Sequence, residues 1–244
     1  MNQNQMVFIV DAGNTLLKVG VFLNCELQKT YKIEYSEITV FKNLLKEYKN
    51  SPVFISSVLS EKKTQELLSL SSHSILFNRF STLPITIKYK TPLTLGLDRI
   101  CNAVASYYLS NSSNSISIDI GTCVKFDFVD KIGNYLGGSI SPGIHLRYKS
   151  LNDYTGNLPL LSDCSRADLI GNSTLNSIKS GVMNGIQSEI NQFISQYSEQ
   201  YQDLTIFVTG GDAVYFEFPS KNNTFVEENF TLKGLYKIYL LNAK

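Results

Sequence analysis

The sequence has no tryptophan and few histidines, prolines or cysteines: 2, 6 and 4 respectively among 244 residues. The cysteines Cys25, Cys101, Cys123 and Cys164 are far apart, they form no Cys-x-x-Cys pair, and neither histidine lies beside a cysteine pair. This spacing disfavours a zinc site and a disulfide framework. We therefore expect unpaired thiols in a reducing cytoplasm.

Positive and negative charges are nearly balanced: the formal net charge is +1, and no long run of Lys or Arg occurs. That balance argues against nucleic-acid or anionic-membrane binding. The amino-terminal apolar run ends at Asp11, which is too early for a signal peptide, and no run approaches the ~20 residues that span a bilayer. With 43% hydrophobic residues, the chain is expected to be a soluble, intracellular globular protein.

A repeated motif organises the chain. Asp-x-Gly-x-Thr begins at Asp11, between apolar runs predicted as antiparallel strands at 6–10 and 16–22, and Asp-x-Gly-Thr begins at Asp119, between predicted strands at 115–118 and 124–129. A small-polar stretch at 111–115 is typical of a linker. The repeat predicts two homologous lobes, residues 1–112 and 113–244.

Periodicity predicts the other elements. Apolar residues spaced by three and four indicate helices at 38–48, 61–70, 97–109, 173–197 and 232–241, and short apolar runs indicate strands at 53–57, 135–140 and 204–208. The segment 137–143 holds so many turn residues that we expect a strand ending in a loop, either on the surface or lining a cleft.

The two Asp-Gly turns have the chemistry of a phosphate site. Glycine lets backbone N–H groups approach an anion, and Thr or Asn adds donors. The aspartate needs a cation between itself and a phosphate, a role that suits Mg²⁺. Lys18 would add a point charge, unless it is an ordinary surface lysine, and either motif alone is also typical of a simple turn. Because the Asp-Gly motif occurs twice, we favour a site in which two turns contact the phosphates.

Two further segments carry candidate chemistry. Gly96-Leu-Asp-Arg99 opens a predicted helix, where Asp98 is either a helix-terminal charge or a general base for a hydroxyl, and where Arg99 would pair with a carboxylate. Thr209-Gly-Gly211 permits close contact with a flat ligand such as adenine, although Gly-Gly also simply turns a chain.

These motifs, in this order, resemble the type III pantothenate kinases, the bacterial enzymes of the first committed step of coenzyme A synthesis. The resemblance covers nearly the whole chain and rests on seven segments: Asp11-Ala-Gly-Asn-Thr-Leu-Leu-Lys18, Gly96-Leu-Asp-Arg99, Asp119-Ile-Gly-Thr122, Gly137-Gly-Ser-Ile-Ser-Pro-Gly143, Tyr154-Thr-Gly-Asn-Leu-Pro159, Ile170-Gly-Asn-Ser-Thr174 and Thr209-Gly-Gly211. It implies an α/β fold of two ribonuclease H-like lobes, each a mixed sheet flanked by helices, in the actin-like, sugar kinase and Hsp70 ATPase superfamily. It also implies a homodimer.

The resemblance assigns a role to each candidate residue. Asp98 would be the proton acceptor, Asp119 would hold a monovalent cation (potassium or ammonium), and Asp11 would lie near the divalent ion that accompanies ATP. The implied ATP-binding residues are Asp11, Ala12, Gly13, Asn14, Thr15, Leu16, Leu17, Lys18 and Thr122. The implied pantothenate-binding residues are Tyr89, Gly96, Leu97, Asp98, Arg99 and Thr174, the last from its own or the partner subunit. The helix from Ser173 is the candidate dimer interface.

The sequence departs from the family pattern directly after the second turn. A small residue and then threonines often follow there, whereas this chain has Cys123, Val124 and Lys125. Lys125 changes the local charge, and Cys123 is either a buried inert thiol or one sensitive to oxidation. Two other functions stay open: a kinase for another small hydroxylated metabolite, and a nucleotide-binding regulatory protein on the same scaffold.

Overall fold

The computed structural model describes residues 6–218 and 223–243. Eleven strands and six α-helices follow one another along these residues. The elements are β1 (Val7–Ala12), β2 (Leu16–Leu23), β3 (Glu26–Glu34), α1 (Ile38–Glu47), β4 (Val53–Ser57), α2 (Glu61–Leu68), β5 (Ser74–Leu76), β6 (Thr86–Ile87), α3 (Leu97–Leu109), β7 (Asn114–Ile120), β8 (Cys123–Val129), β9 (Asn134–Pro142), α4 (Ile144–Asp153), α5 (Thr174–Gln200), β10 (Leu204–Thr209), β11 (Asn223–Val226) and α6 (Phe230–Asn242).

The chain forms two compact units, Met1–Ala105 with Asn229–Lys244 and Ser106–Glu228. This division differs from the expected single boundary at residue 112. The chain leaves the first unit inside α3, and α6 returns to the first unit because it packs against β1, β2 and β4. A carboxy-terminal helix that packs on the amino-terminal sheet gives no local signal in the sequence.

The first unit is a mixed sheet of strand order β3-β2-β1-β4-β5 with helices packed against it. β1 pairs antiparallel with β2 and β2 with β3, whereas β1 pairs parallel with β4 and β4 with β5. The short apolar runs predicted as strands are buried because they form the centre of this sheet, and Phe8, Val10 and Ile55 are fully buried in it. The predicted antiparallel hairpin of the first motif is confirmed.

Helix α6 fits this unit closely. A Cβ atom at Gly234 would lie 1.8 Å from the carbonyl oxygen of Cys101, so α6 approaches α3 at a distance that only glycine allows. Phe22 of β2 and Tyr236 of α6 stack with their ring centroids 4.1 Å apart. These contacts explain why the last helix belongs to the first unit.

The second unit repeats the plan. Its own strands have the order β11-β10-β7-β8-β9, with β7–β8 and β8–β9 antiparallel and with β7–β10 and β10–β11 parallel. α5 covers the sheet through a stripe of buried residues, spaced by three and four, that includes Ile178, Val182, Ile186, Ile190 and Ile194. The helix predicted at 173–197 is thus confirmed. In the part of the chain that is described, no helix combines the length and apolarity that a membrane crossing requires.

The segment 137–143 corrects one expectation. It does not leave the sheet as a loop, because β9 continues to Pro142. Gly137 has a φ of +116° beside a register shift in the β8–β9 pairing, and a Cβ at Gly138 would lie 1.7 Å from the carbonyl oxygen of Phe126. The two glycines therefore serve a bulge and a close approach between strands.

Candidate functional site

The first Asp-Gly turn is the closed end of the β1–β2 hairpin. Asp11 pairs in register with Lys18, and Ala12 with Leu17. The Gly13 N–H donates to the carbonyl of Leu16 at 3.1 Å, which leaves the two residues at 14–15 exposed at the tip. Eight of the nine residues predicted to bind ATP, Asp11 to Lys18, therefore form one continuous hairpin end, with an aspartate and a lysine on neighbouring strands.

Tyr35 supports this turn from outside the motif. Its hydroxyl donates to the carbonyl of Gly13 at 2.7 Å. Burial, and then the negative charge of Asp11, raise the pKa of the Tyr35 hydroxyl, so it stays a donor at neutral pH. Sequence patterns do not reveal this residue, since a tyrosine 22 positions after Gly13 gives no local signal.

We expect Tyr35→Phe to lower stability by about 1 kcal/mol, because one partly buried hydrogen bond is lost. Since the bond holds the turn, ATP affinity should also fall, by roughly fivefold. Nucleotide titration calorimetry with thermal unfolding measures both effects. Tyr31→Phe is the matched control, because it removes a hydroxyl from β3 opposite Val19 rather than at the turn; equal losses in the two variants would contradict the role of Tyr35.

The Gly96–Arg99 segment begins α3, with Asp98 in its first turn. A Cβ at Gly96 would lie 2.4 Å from a carboxylate oxygen of Asp98, so the carboxylate occupies the space that a side chain at this position would fill. Arg99 is buried, and its guanidinium carbon lies 5.8 Å from the ring centroid of Tyr89. Four of the predicted substrate-binding residues, Tyr89, Gly96, Asp98 and Arg99, are therefore neighbours in the first unit.

The charges of Asp11 and Asp98 both affect the pKa of one buried thiol, that of Cys101. The Cys101 thiol is fully buried, and burial first, then the charge of Asp11, then the charge of Asp98 raise its pKa well above the usual value. The charges of both carboxylates, which belong to the first unit, therefore reach the Cys101 thiol. This thiol stays protonated and serves as packing.

The second Asp-Gly turn closes the β7–β8 hairpin in the same way, one residue shorter. Asp119 pairs in register with Lys125, and the Gly121 N–H donates to the carbonyl of Cys123 at 3.1 Å. Gly143, which precedes α4, donates to the carbonyl of Thr122 at 3.0 Å, and a Cβ there would lie 2.0 Å from the carbonyl oxygen of Gly121. The positive end of α4 thus starts directly beside the turn, where it favours an anion.

The segment after β10 packs on the other side of this turn. Gly210 has a φ of +101°, and a Cβ there would lie 2.1 Å from the carbonyl oxygen of Ile120, which also accepts the N–H of Asp212 at 3.0 Å. Gly211 has no atom near its own missing Cβ. Burial raises the pKa of the Asp212 carboxyl, the charge of His145 lowers it, and the charge of Asp119 raises it, so both charges reach Asp212.

The predicted substrate residue Thr174 is the first residue of α5 and is exposed. Ser173 caps the helix through its hydroxyl, which accepts the N–H of Asn176 at 3.2 Å. A Cβ at Gly171 would lie 2.3 Å from the backbone nitrogen of Ser177. The Ile170–Thr174 motif therefore builds the amino end of α5 and presents Thr174 to solvent.

The divalent ion expected with ATP fits Asp11. Across residues 6–218 and 223–243, no group of three or more His, Cys, Asp or Glu side chains is arranged to hold a metal ion. A single partly buried carboxylate beside a turn predicted to bind phosphate is nevertheless enough for Mg²⁺ when phosphate oxygens and waters complete its shell.

The free potassium or ammonium ion expected at Asp119 does not fit. The Lys125 ammonium lies 2.7 Å from a carboxylate oxygen of Asp119, and these side chains are only 17% and 16% exposed. A second cation bound to the same carboxylate, about 4 Å from the ammonium, would be repelled by about 4 kcal/mol at an effective dielectric constant of about 20. The resemblance alone suggested the ion; the ion pair opposes it.

Comparison with known proteins decides the family. Residues 7–196 match the family model described as "Type III pantothenate kinase". The chain belongs to the type III pantothenate kinase family. It is 37% identical over 243 residues to the type III pantothenate kinase of Azobacteroides pseudotrichonymphae genomovar. CFP2, an alignment that covers 98% of each chain. The family inferred from the order of the seven segments is confirmed.

Solved structures confirm the fold. A protein from Campylobacter jejuni assigned to the Baf family of transcriptional activators superposes with a TM-score of 0.62 at 22% identity, covering 96% of this chain and 98% of the other. The inorganic polyphosphate/ATP-glucomannokinase of Arthrobacter sp. strain KM superposes with a TM-score of 0.50 at 12% identity, covering 97% and 99%. The expected fold, two mixed sheets flanked by helices, is therefore confirmed.

Proposed function

We propose that this chain transfers the γ-phosphate of ATP to the terminal hydroxyl of pantothenate, giving 4'-phosphopantothenate and ADP, the first step of coenzyme A biosynthesis. Family membership over residues 7–196 supports the reaction. The observation that carries the assignment of residues is the space that Gly96 leaves for the Asp98 carboxylate, because a Cβ at position 96 would lie 2.4 Å from one of its oxygens.

The phosphates of ATP would contact the hairpin end from Asp11 to Lys18. Its backbone N–H groups and its exposed tip, Asn14 and Thr15, are donors, and Lys18 adds a positive charge beside Asp11. Asp11 would hold Mg²⁺, which neutralises charge on the phosphates when bound. In the second unit, Thr122 would contact ATP at the turn that adjoins the start of α4.

Asp98 would accept the proton of the pantothenate hydroxyl. As the proton moves to the carboxylate, the hydroxyl oxygen forms a bond to the γ-phosphorus, and the bond from that phosphorus to the bridging oxygen of ADP breaks. Gly96 supports this role, since any side chain there would displace the carboxylate. The chemistry is chiefly positioning and electrostatics.

Pantothenate would be held by groups around the start of α3. Arg99 is buried against the ring of Tyr89, an arrangement that fixes its planar guanidinium for a bidentate bond to the pantothenate carboxylate. Gly96, Leu97 and the exposed Thr174 complete the set suggested by the family.

Two wider features belong to the same proposal. α5 would form a homodimer interface, which would let Thr174 act in its own or the partner's site. The enzyme would work in the cytoplasm, which suits four cysteines without a disulfide.

A coupled assay of ADP release tests the function. With Mg²⁺ and ATP present, we expect release to depend on pantothenate and to be absent with sugars, nucleosides and pantothenate lacking its terminal hydroxyl. If ADP is released only with another hydroxylated metabolite, that metabolite and not pantothenate is the phosphate acceptor. Tight ATP binding with no release for any acceptor would favour a nucleotide-binding regulator.

A further inference from the structure

The second phosphate turn carries its own fixed cation. Lys125 lies opposite Asp119 on the paired strand, with its ammonium nitrogen 2.7 Å from the carboxylate. Both side chains are more than four-fifths covered by protein, so the surrounding residues restrict the motion of the ion pair. Burial of this kind keeps an ion pair from being screened by salt.

The internal repeat gives this lysine a counterpart. In the first unit Lys18 pairs in register with Asp11, just as Lys125 pairs with Asp119 in the second unit. Each hairpin therefore has a lysine on its second strand, in register with the aspartate that begins its turn. The ion pair between Lys125 and Asp119 shows what this register position allows, because it brings the lysine ammonium to the aspartate carboxylate.

The positive charge of Lys125 offsets negative charge near the second turn. Asp119 and Asp212 lie close enough for one to raise the pKa of the other, and phosphate oxygens brought to this turn would add more negative charge. A monovalent cation at Asp119 would offset that charge. The ε-ammonium of lysine has the same charge as an ammonium ion and likewise donates through N–H groups, and its attachment to the chain removes the cost of recruiting an ion from solution.

We propose that Lys125 is the built-in replacement for a free monovalent cation, so that ATP binding by this enzyme does not depend on potassium or ammonium. The inference rests on the proposed function, in that it takes the second turn to contact the phosphates of ATP. Lys125 is thereby a positioning residue, which acts on the phosphates through charge while it holds Asp119.

The first test uses the unmodified protein. Affinity for ATP with Mg²⁺ is measured by titration calorimetry in tetramethylammonium, sodium, potassium and ammonium salts at equal ionic strength. We expect the dissociation constants to agree within about twofold. A saturable increase in affinity or turnover with potassium or ammonium, but not with tetramethylammonium, would overturn the inference.

The second test removes the ammonium group. Lys125→Met should weaken ATP binding roughly tenfold in tetramethylammonium salt, because a charge-assisted contact is lost. Potassium or ammonium should restore the affinity by binding to the Asp119 carboxylate, which the substitution leaves without its lysine. The same ions should raise the unfolding temperature of Lys125→Met and leave that of the unmodified protein unchanged. Lys125→Arg should remain independent of the ion.

Lys131→Met is the matched control, since it removes an exposed lysine just beyond the other end of β8 and should create no ion dependence. If Lys125→Met binds ATP normally without potassium, the inference is wrong. Absence of ATP binding by the unmodified protein in every salt would instead overturn the proposed function, so the two failures are distinguishable.

Discussion

Replacing Asp98 with Asn is expected to reduce turnover by roughly 10²–10⁴-fold, the range that a positioned general base contributes. The substitution keeps the shape and removes the proton acceptor, and Gly96 still leaves the space that the side chain occupies. ATP affinity should stay within about threefold, because Asp98 lies in the first turn of α3 and not in the β1–β2 hairpin proposed to bind the phosphates. Single-turnover kinetics with nucleotide titration measures the two quantities separately.

The competing explanation for Asp98 is a favourable charge at a helix terminus. Glu61→Gln tests it, because Glu61 also lies in the first turn of a helix, α2, and is exposed. Removing either charge should cost about 0.3–1 kcal/mol of stability through the helix dipole. If Asp98→Asn shows that loss of stability and unchanged turnover, as Glu61→Gln should, the base assignment is wrong.

Replacing Gly210 with Ala should destabilise the protein by roughly 3 kcal/mol, from a strained backbone and an overpacked contact together. The residue has a φ of +101°, and the new Cβ would start 2.1 Å from the carbonyl oxygen of Ile120. Relief of that contact must move the second phosphate turn, so ATP affinity should fall as well. Denaturant unfolding and nucleotide titration measure the two losses.

The adjacent glycine provides the control for stability. A Cβ added at Gly211 would meet no atom within 4 Å, and the backbone there lies outside the left-handed region. Gly211→Ala should therefore leave the free energy of unfolding within about 0.5 kcal/mol of its original value. Equal destabilisation by the two substitutions would mean that the close approach to Ile120 is not what requires glycine.

Local patterns were sufficient for the elements that build the two turns. β1, β2, β7 and β8 are short apolar runs that end at Asp-Gly motifs, and α3 and α5 have buried residues at helical spacing. β3 was not predicted because its residues are mostly exposed and polar. α4 was not predicted because only Ile144 and Tyr148 are buried, which is too few for a visible stripe.

The structural features that could not be predicted from the sequence depend on contacts between residues far apart in the chain. The return of α6 to the first unit requires Gly234 to meet Cys101, and the bond from Tyr35 to Gly13 joins residues that no motif connects. The pairing of Lys125 with Asp119 follows from the register of β7 and β8, whereas the sequence indicated only a change of local charge. The residue roles at the site remain predictions.

Transfer of phosphate from ATP to pantothenate is best tested by following the transferred group itself. The protein is incubated with Mg²⁺, pantothenate and ATP whose γ-phosphate carries heavy oxygen, and the products are identified by mass spectrometry. We predict labelled 4'-phosphopantothenate in an amount equal to the ADP formed, and almost none with Asp98→Asn. Label found only in ATP or in inorganic phosphate, with pantothenate unchanged, would contradict the proposed reaction.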